Sequence, residues 1–278
     1  MTRTWHSNQP APVHRITPVG WLLVALRAVV LIILVFGGLV VLLLVRMVER
    51  PVWGLRRPLT PYITQGVCKG SLRVIGLRLK VRGAPAHGQE AVVANHTSWL
   101  DIFVLNASKR IYFVSKAEVA GWPGIGWLAR ATGTVFIERD AAKARTQTIM
   151  FRERLLAGHK LLFFPEGTST DGFVVLPFKT TLFQSFFDPG LKDALSVQPV
   201  SVVYHAPKGR EDRFYGWWGD MPFGPHLIQT LSSWSRGHVD VMYHDPLKVN
   251  AFSDRKALAR ACEEAVREGH ETLQGKAD

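Results

Sequence analysis

Residues 28–45 form a run of 18 apolar residues without a single charge. A segment that is apolar on every side belongs either deep in a core or in a membrane. A helix needs ~20 such residues to cross the hydrocarbon of a bilayer. The stretch beginning at Trp21 supplies that length if Arg27 extends its head to the interface. The run is longer than the apolar core of a secretory leader, and Arg46, Glu49 and Arg50 follow it in place of a small-residue cleavage pattern. It therefore reads as a retained N-terminal membrane-anchoring helix. Arg46, Arg50, Arg56 and Arg57 follow it closely whereas Arg3 and Arg15 precede it, a bias that puts the remainder of the chain in the cytoplasm. Gly37-Gly38 leaves a second form open, a bent helical hairpin dipping into one leaflet. Residues 51–82 mix apolar residues with Arg56, Arg57, Lys69, Arg73, Arg78, Lys80 and Arg82. An interfacial segment has that pattern, and so does an ordinary amphipathic helix packed on a domain.

Beyond the anchor the chain has the length of one domain. Four apolar runs in it stop at polar residues. Ala91-Val92-Val93-Ala94 reads as a buried strand and opens into Asn95-His96-Thr97-Ser98-Trp99-Leu100-Asp101, with Thr97 and Ser98 expected to cap a helix. An imidazole titrates near pH ~6.5 and takes a proton from an alcohol when a carboxylate fixes its tautomer. His96 and Asp101 together offer that pair, although a capping histidine and a solvated aspartate share the same spacing. Leu161-Leu162-Phe163-Phe164 ends in Pro165-Glu166-Gly167-Thr168-Ser169-Thr170-Asp171-Gly172. Here Gly167 admits a close ligand, Glu166 puts a negative charge at the rim, and hydroxyls and amides can surround a head group. The same residues also make ordinary turns. Residues 133–137 run into Glu138-Arg139-Asp140, where Arg139 fits a two-pronged anion contact or a surface ion pair. Residues 197–204 form the fourth run, in which Pro199 predicts an edge strand or a strand start.

Residues 237–243 read as a further strand, residues 141–156 as a helix, and residues 253–273 as a closing helix capped by Ser253 or Asp254. Strands alternate with helices, which predicts an α/β fold with a mixed or mostly parallel sheet flanked by helices. Cys68 and Cys262 are too isolated for a disulfide framework and read as buried thiols. The ten histidines show no ligand spacing, and His205, His226, His238 and His244 read as loop or strand-end residues, so no metal is expected. Trp122, Trp127, Trp217, Trp218 and Trp234 divide between core, interface and groove. The charge of +12 comes without zinc spacing, recognition helix or RNA-binding aromatics, which argues against nucleic acid. Attraction to an anionic membrane surface accounts for it.

Taken in this order, the Asn-His-x-Ser-x-x-Asp, Phe-Ile-x-Arg, Phe-Pro-Glu-Gly-Thr and late Pro-Val blocks resemble the glycerolipid acyltransferase superfamily, over roughly residues 83–204. The resemblance implies His96 as general base and Asp101 as its orienter. It also implies Arg139, Glu166, Gly167 and Thr168, with Lys116, as the residues that bind the acyl acceptor. No cofactor is implied. The donor would be a thioester of acyl carrier protein, itself acidic and drawn by the basic charge, or of coenzyme A. Backbone amides of the 95–98 turn or of the Gly167 loop are candidates to hold the oxyanion. The common phosphate-acceptor pattern has arginine after Glu-Gly-Thr, whereas this chain has Ser169. That string, Leu176-Pro177-Phe178-Lys179, and Tyr215-Gly216-Trp217-Trp218-Gly219-Asp220-Met221 resemble the branch acylating lyso-ornithine lipids. A lyso-ornithine-type acceptor is therefore expected, with lysophosphatidic acid the alternative. Residues 1–50 would form the tail and membrane anchor. Residues 51–278 would form the acyltransferase domain, starting with an interfacial helix and facing the cytoplasm from the inner membrane. Two competing readings remain: a hydrolase using Ser98 as nucleophile, and a noncatalytic lipid-binding protein.

Overall fold

The computed structural model describes residues 4–12, 15–138 and 144–275 of the chain, with side chains from 146 in the last stretch. Thr17 begins the longest element: its hydroxyl accepts from the Gly20 amide, and Pro18 takes the first helical position of α1 (Pro18–Trp53). The helix runs through Gly37 and Gly38 without a break, so the bend left open there as an alternative is absent. The turn comes instead at Gly54, whose φ of +59° ends α1, and α2 (Thr60–Ile75) returns along it. Gly38 and Gly70 serve that packing. A Cβ on Gly38 would meet Val67 at 2.4 Å, and one on Gly70 would meet Leu34 at 2.8 Å.

One stripe of α1 packs inward along its whole length. Gly20 lies against Ser232, Arg27 donates to the carbonyls of Leu231 and Ser233, Leu42 is buried, and Glu49 accepts from Leu59 and Thr60. The opposite face, including Val29, Ile33, Val40, Leu44 and Met47, is apolar and exposed. Only 6 % of the apolar window is buried, and the helix is long and apolar enough to cross a membrane.

The domain is a three-layer sandwich around an eight-stranded sheet. Its strands are β1 (Leu77–Arg82), β2 (Glu90–Ala94), β3 (Tyr112–Lys116), β4 (Val135–Ile137), β5 (Leu161–Phe163), β6 (Ser196–His205), β7 (Gly237–Tyr243) and β8 (Leu247–Lys248). The order is β1-β7-β6-β2-β5-β3-β4, with β8 beside β6. Every pairing is parallel except β6 with β7 and β6 with β8. Burial on both faces explains the continuous apolar runs of β2 and β5. Val92 and Ala94 face a core shared with α2, α3 (Asp101–Ser108) and α6 (Phe223–Leu231). Ala91 and Val93 face the other core, shared with α5 (Ala144–Leu156) and α7 (Arg255–Leu273). A short α4 (Ile125–Thr132) precedes β4.

Three local expectations need correction. Pro199 is not on an edge strand: β6 is central, and the proline sits where its neighbour changes from β8, paired at Val197, to β7, paired from Val200. The missing amide donor falls in that gap. Thr97 and Ser98 do not cap α3, whose N-cap residue is Leu100 with no side-chain cap. His226 is neither in a loop nor at a strand end; it lies buried within α6 and accepts from Trp99 Nε1 at 2.9 Å. The expected cap of α7 is Asp254, which accepts from Lys256 and Ala257. Residues 141–143 of the helix expected over 141–156 lie outside the described residues.

Candidate active site

Because β2, β5, β3 and β4 run parallel, the residues that follow them collect at one edge of the sheet, where open α/β sheets put their ligands. His96 leaves β2, Pro165 and Glu166 leave the neighbouring β5, Lys116 ends β3, and Glu138 follows β4. Arg139, expected to hold the acceptor, lies outside the described residues.

His96 Nδ1 and Asp101 Oδ2 are 2.7 Å apart. Asp101 stands in the first turn of α3 and is fully buried, with both carboxylate oxygens hydrogen-bonded. Oδ2 also accepts from the amides of Thr97, at 2.9 Å, and Ser98, at 3.1 Å, while Oδ1 accepts from the Tyr204 hydroxyl at 2.6 Å. Four donors on one carboxylate fix its orientation. Nδ1 must then carry its proton toward Asp101, which leaves Nε2 as the basic nitrogen. Among the described residues no hydrogen bond engages Nε2, and the side chain keeps 21 % of its surface exposed. Phe164 stacks under the ring, with centroids 4.0 Å apart and planes 11° from parallel.

The backbone of His96 is clamped from the loop that follows β5. Its amide donates to Glu166 Oε1 at 2.7 Å, and its carbonyl accepts from Thr170 N at 2.9 Å. Glu166 Oε2 accepts from Leu176 N at 2.8 Å. With 2 % of its surface exposed and both oxygens turned inward, Glu166 is a brace between two loops and does not place a charge at the rim as its motif suggested. Burial pushes its carboxyl up to about 8, against the pull of the two amides. Gly167 has φ +73°, a conformation that favours glycine. Thr168 beside it is half-buried, and its hydroxyl takes the Trp5 amide at 3.5 Å. Lys116 is exposed at the end of β3. Asn95 ties the turn to the central strand through two bonds with Val202, at 2.8 and 2.9 Å.

The amides of His96, Thr97, Ser98 and Gly167 are all committed to protein acceptors, which takes these four out of the expected oxyanion donors. Ser98 is fully buried, and its hydroxyl accepts from Leu100 N at 3.4 Å, which leaves it unreachable as a nucleophile. Sequence reasoning missed Tyr204 and Phe164 as parts of the site. Tyr204 closes a strand run, and only the sheet order reveals that β6 lies next to β2. Spacing also hides a group on two paired strands. His205, His238 and Asp240 bring possible ligand atoms within 4.8 Å of one another; the imidazoles stack at 4.2 Å and 11°, and both Nε2 atoms approach Asp240 Oδ2, at 3.0 and 3.4 Å. Cys68 and Cys262 are free and buried.

An acyltransferase family model matches residues 78–203. The chain is 54 % identical to the lyso-ornithine lipid O-acyltransferase of Rhodobacter capsulatus, over 97 % of this chain and 98 % of that one. It is 38 % identical to a 1-acyl-sn-glycerol-3-phosphate acyltransferase of Neisseria gonorrhoeae, over 72 % of this chain and 77 % of that one. The crystal structure of the 1-acyl-sn-glycerophosphate acyltransferase PlsC of Thermotoga maritima shares the fold, with TM-score 0.66 and 23 % identity over 93 % of this chain and 98 % of that one.

Proposed function

The chain belongs to the glycerolipid acyltransferase superfamily, and from that premise we propose that it esterifies the free hydroxyl of a lyso-ornithine-type aminolipid with a fatty acyl group taken from a thioester. The carrying observation for the chemistry is the 2.7 Å contact of His96 Nδ1 with a fully braced Asp101, since it leaves Nε2 as the base. Support for the acceptor comes from the 54 % identity to the Rhodobacter enzyme and from Ser169 in place of an arginine.

In the proposed reaction His96 Nε2 removes the acceptor hydroxyl proton as the oxygen bonds to the thioester carbonyl carbon. The Asp101 carboxylate stabilises the imidazolium. The tetrahedral adduct collapses with cleavage of the carbon–sulfur bond, and the thiolate leaves with the proton returned by His96. Alcohol and thioester become ester and thiol, with no covalent enzyme intermediate. Lys116, Arg139, Gly167 and Thr168 hold the acceptor head group, while Glu166 positions His96. The donor is an acyl carrier protein or coenzyme A thioester, and a charge of +12 favours either acidic carrier. Residues 1–50 serve as tail and anchor and 51–278 as the acyltransferase domain, on the cytoplasmic face of the inner membrane. Phosphatidic acid synthesis is the second reading, favoured by the Neisseria relative.

Membranes carrying the protein, incubated with labelled thioesters of both carriers and a panel of lyso-lipids, test the proposal. Label is expected in the lyso-ornithine product with one thiol released per ester. His96→Ala should abolish transfer while membrane attachment persists. Wild-type turnover by that variant would remove the mechanism, and label confined to phosphatidic acid, the product from lysophosphatidic acid, would remove the acceptor.

A further inference from the structure

A groove of about 520 Å³ opens beside the C-terminal end of α1. Leu39, Leu43, Leu55 and Trp127 give it an apolar floor, and Arg46, Arg50, Arg57 and Arg130 surround it. The helix C-terminus accounts for Arg46 and Arg50, which oppose its negative dipole end. Arg130 stands likewise in the last turn of α4, but no helix end accounts for Arg57, which comes from the α1–α2 loop.

Arg46 is paired with Glu49 at 3.1 Å, whereas Arg50, Arg57 and Arg130 have no ion-pair partner among the described residues. Glu49 is the carboxylate beside the groove, and its oxygens are consumed by the amides of Leu59 and Thr60, the Thr60 hydroxyl and Arg46. Arg57 spends Nη1 on Ala131 O at 2.7 Å, and Arg130 spends Nη1 on Ala120 O at 2.5 Å. Arg50 is exposed, and its side chain has no hydrogen bond among the described residues. Each guanidinium carries five N–H donors; Arg46 spends its own on Glu49, Arg56 O and Gly54 O, while Arg50, Arg57 and Arg130 keep donors without a protein acceptor among the described residues. Burial first, and then the charge of Arg46, pull Arg57 below its ordinary value.

The groove is not the reaction centre. Arg57 contacts the segment that enters β4, whereas His96 follows the exit of β2, and these strands run the same way in the sheet. The two sites therefore lie at opposite edges.

We propose that this groove seats the anionic head group of a membrane phospholipid, with the phosphate on the arginines and the acyl chains along the outward face of α1. A free anion would leave the apolar floor unused. That floor continues into exposed Val40, Leu44 and Met47, and Trp127, 62 % exposed, stands at the boundary as interfacial tryptophans do. The proposal rests on the reading of α1 as membrane-embedded but not on the identity of the acyl acceptor.

The test uses the full chain in neutral detergent, with its melting temperature followed against dioleoyl phosphatidylglycerol, dioleoyl phosphatidylcholine and inorganic phosphate. Phosphatidylglycerol is expected to raise the melting temperature by several degrees while the other two leave it in place. The double variant Arg50→Glu/Arg130→Glu should melt near the wild type without lipid and need roughly tenfold more phosphatidylglycerol for the same shift. Should the double variant fail to fold, Arg50→Gln removes a charge that holds no hydrogen bond among the described residues and should show a smaller loss in the same direction. An unchanged response in the folded variants overturns the proposal, as does an equal response to phosphatidylcholine. A phosphate response equal to that of phosphatidylglycerol makes this a free-anion site and overturns the lipid assignment. Co-sedimentation of the wild type with phosphatidylcholine vesicles separates the two readings: its failure sinks the membrane reading, whereas its success with no anionic preference sinks this one alone.

Discussion

Tyr204 and Asp101 are 103 positions apart in the chain, yet the tyrosine hydroxyl donates to Asp101 Oδ1 at 2.6 Å inside a buried site. The contact exists because β6 lies beside β2 in the sheet. It makes the orientation of the His96 imidazole depend on the central strand as well as on its own turn.

Tyr204→Phe keeps the ring and removes that donor. A buried carboxylate oxygen is left without its partner, a cost of about 1–3 kcal/mol in stability. Since Tyr204 acts through Asp101 and not on substrate, kcat should fall on the order of tenfold with KM for the lyso-lipid unmoved. Steady-state kinetics and a thermal melt on the same preparation check both. A change confined to KM would place the tyrosine in the acceptor pocket instead.

Glu166 gives a pH signature. Burial raises its carboxyl to about 8, so above the ordinary carboxylate range the folded chain keeps a proton that the unfolded chain has released. The stability this confers is complete below that range and is lost as pH rises through about 8. Glu166→Gln should flatten this slope. It also costs about 1–3 kcal/mol, because an amide nitrogen cannot accept from His96 N or Leu176 N. Denaturant midpoints from pH 5 to 8.5 for both proteins decide it. Parallel slopes would mean that the carboxylate stays ionised throughout, sustained by its two amide donors.

Much of this site is written in local order. The apolar runs ending in Asn95-His96 and Pro165-Glu166 reveal buried strands because both faces of β2 and β5 are covered. His96 and Asp101 meet because a tight turn separates them. Long-range relations are different in kind. No pattern in the chain tells that β6 is central, so Pro199 suggests an edge that does not exist, and Tyr204 gives no sign of its partner. The direction of a side chain is equally hidden: Glu166 in a polar loop looks like a rim charge until two amides from different segments are found on it. Gly37-Gly38 suggests a bend, whereas at Gly38 the missing side chain serves the approach of Val67.

At the opposite sheet edge, Glu90 is 1 % exposed and holds Lys109 at 2.5 Å and Lys160 at 2.7 Å. Removing the shared anion leaves two ammonium groups facing each other with little water. Glu90→Gln should therefore cost about 3–5 kcal/mol, the usual penalty for breaking a buried pair from one side. Glu90→Gln/Lys109→Met removes the buried charge as well and should recover part of the loss. A thermal melt of the single and double variants reads this directly, and equal destabilisation by both would show that the triad contributes through packing and not through charge.

The packing of α1 predicts how it meets the bilayer. Its inward stripe touches the domain from Gly20, beside Ser232, to Glu49, beside Thr60, a length of roughly 44 Å at the rise of an α-helix. If the helix crossed a bilayer of ~30 Å hydrocarbon, α2 and parts of the domain would be pulled into the lipid with it. A helix lying in one leaflet keeps these contacts and immerses only the outward face. Single cysteines at Val19 and Val52, exposed by 58 % and 63 % near the two ends, report the difference. Cys68 and Cys262 are buried, with thiols raised by that burial, so they should stay silent toward a membrane-impermeant maleimide. With the lying helix, both probes label from the same side of sealed vesicles. Labelling of one probe from each side would establish a spanning helix and require α1 to detach from the domain along most of its length.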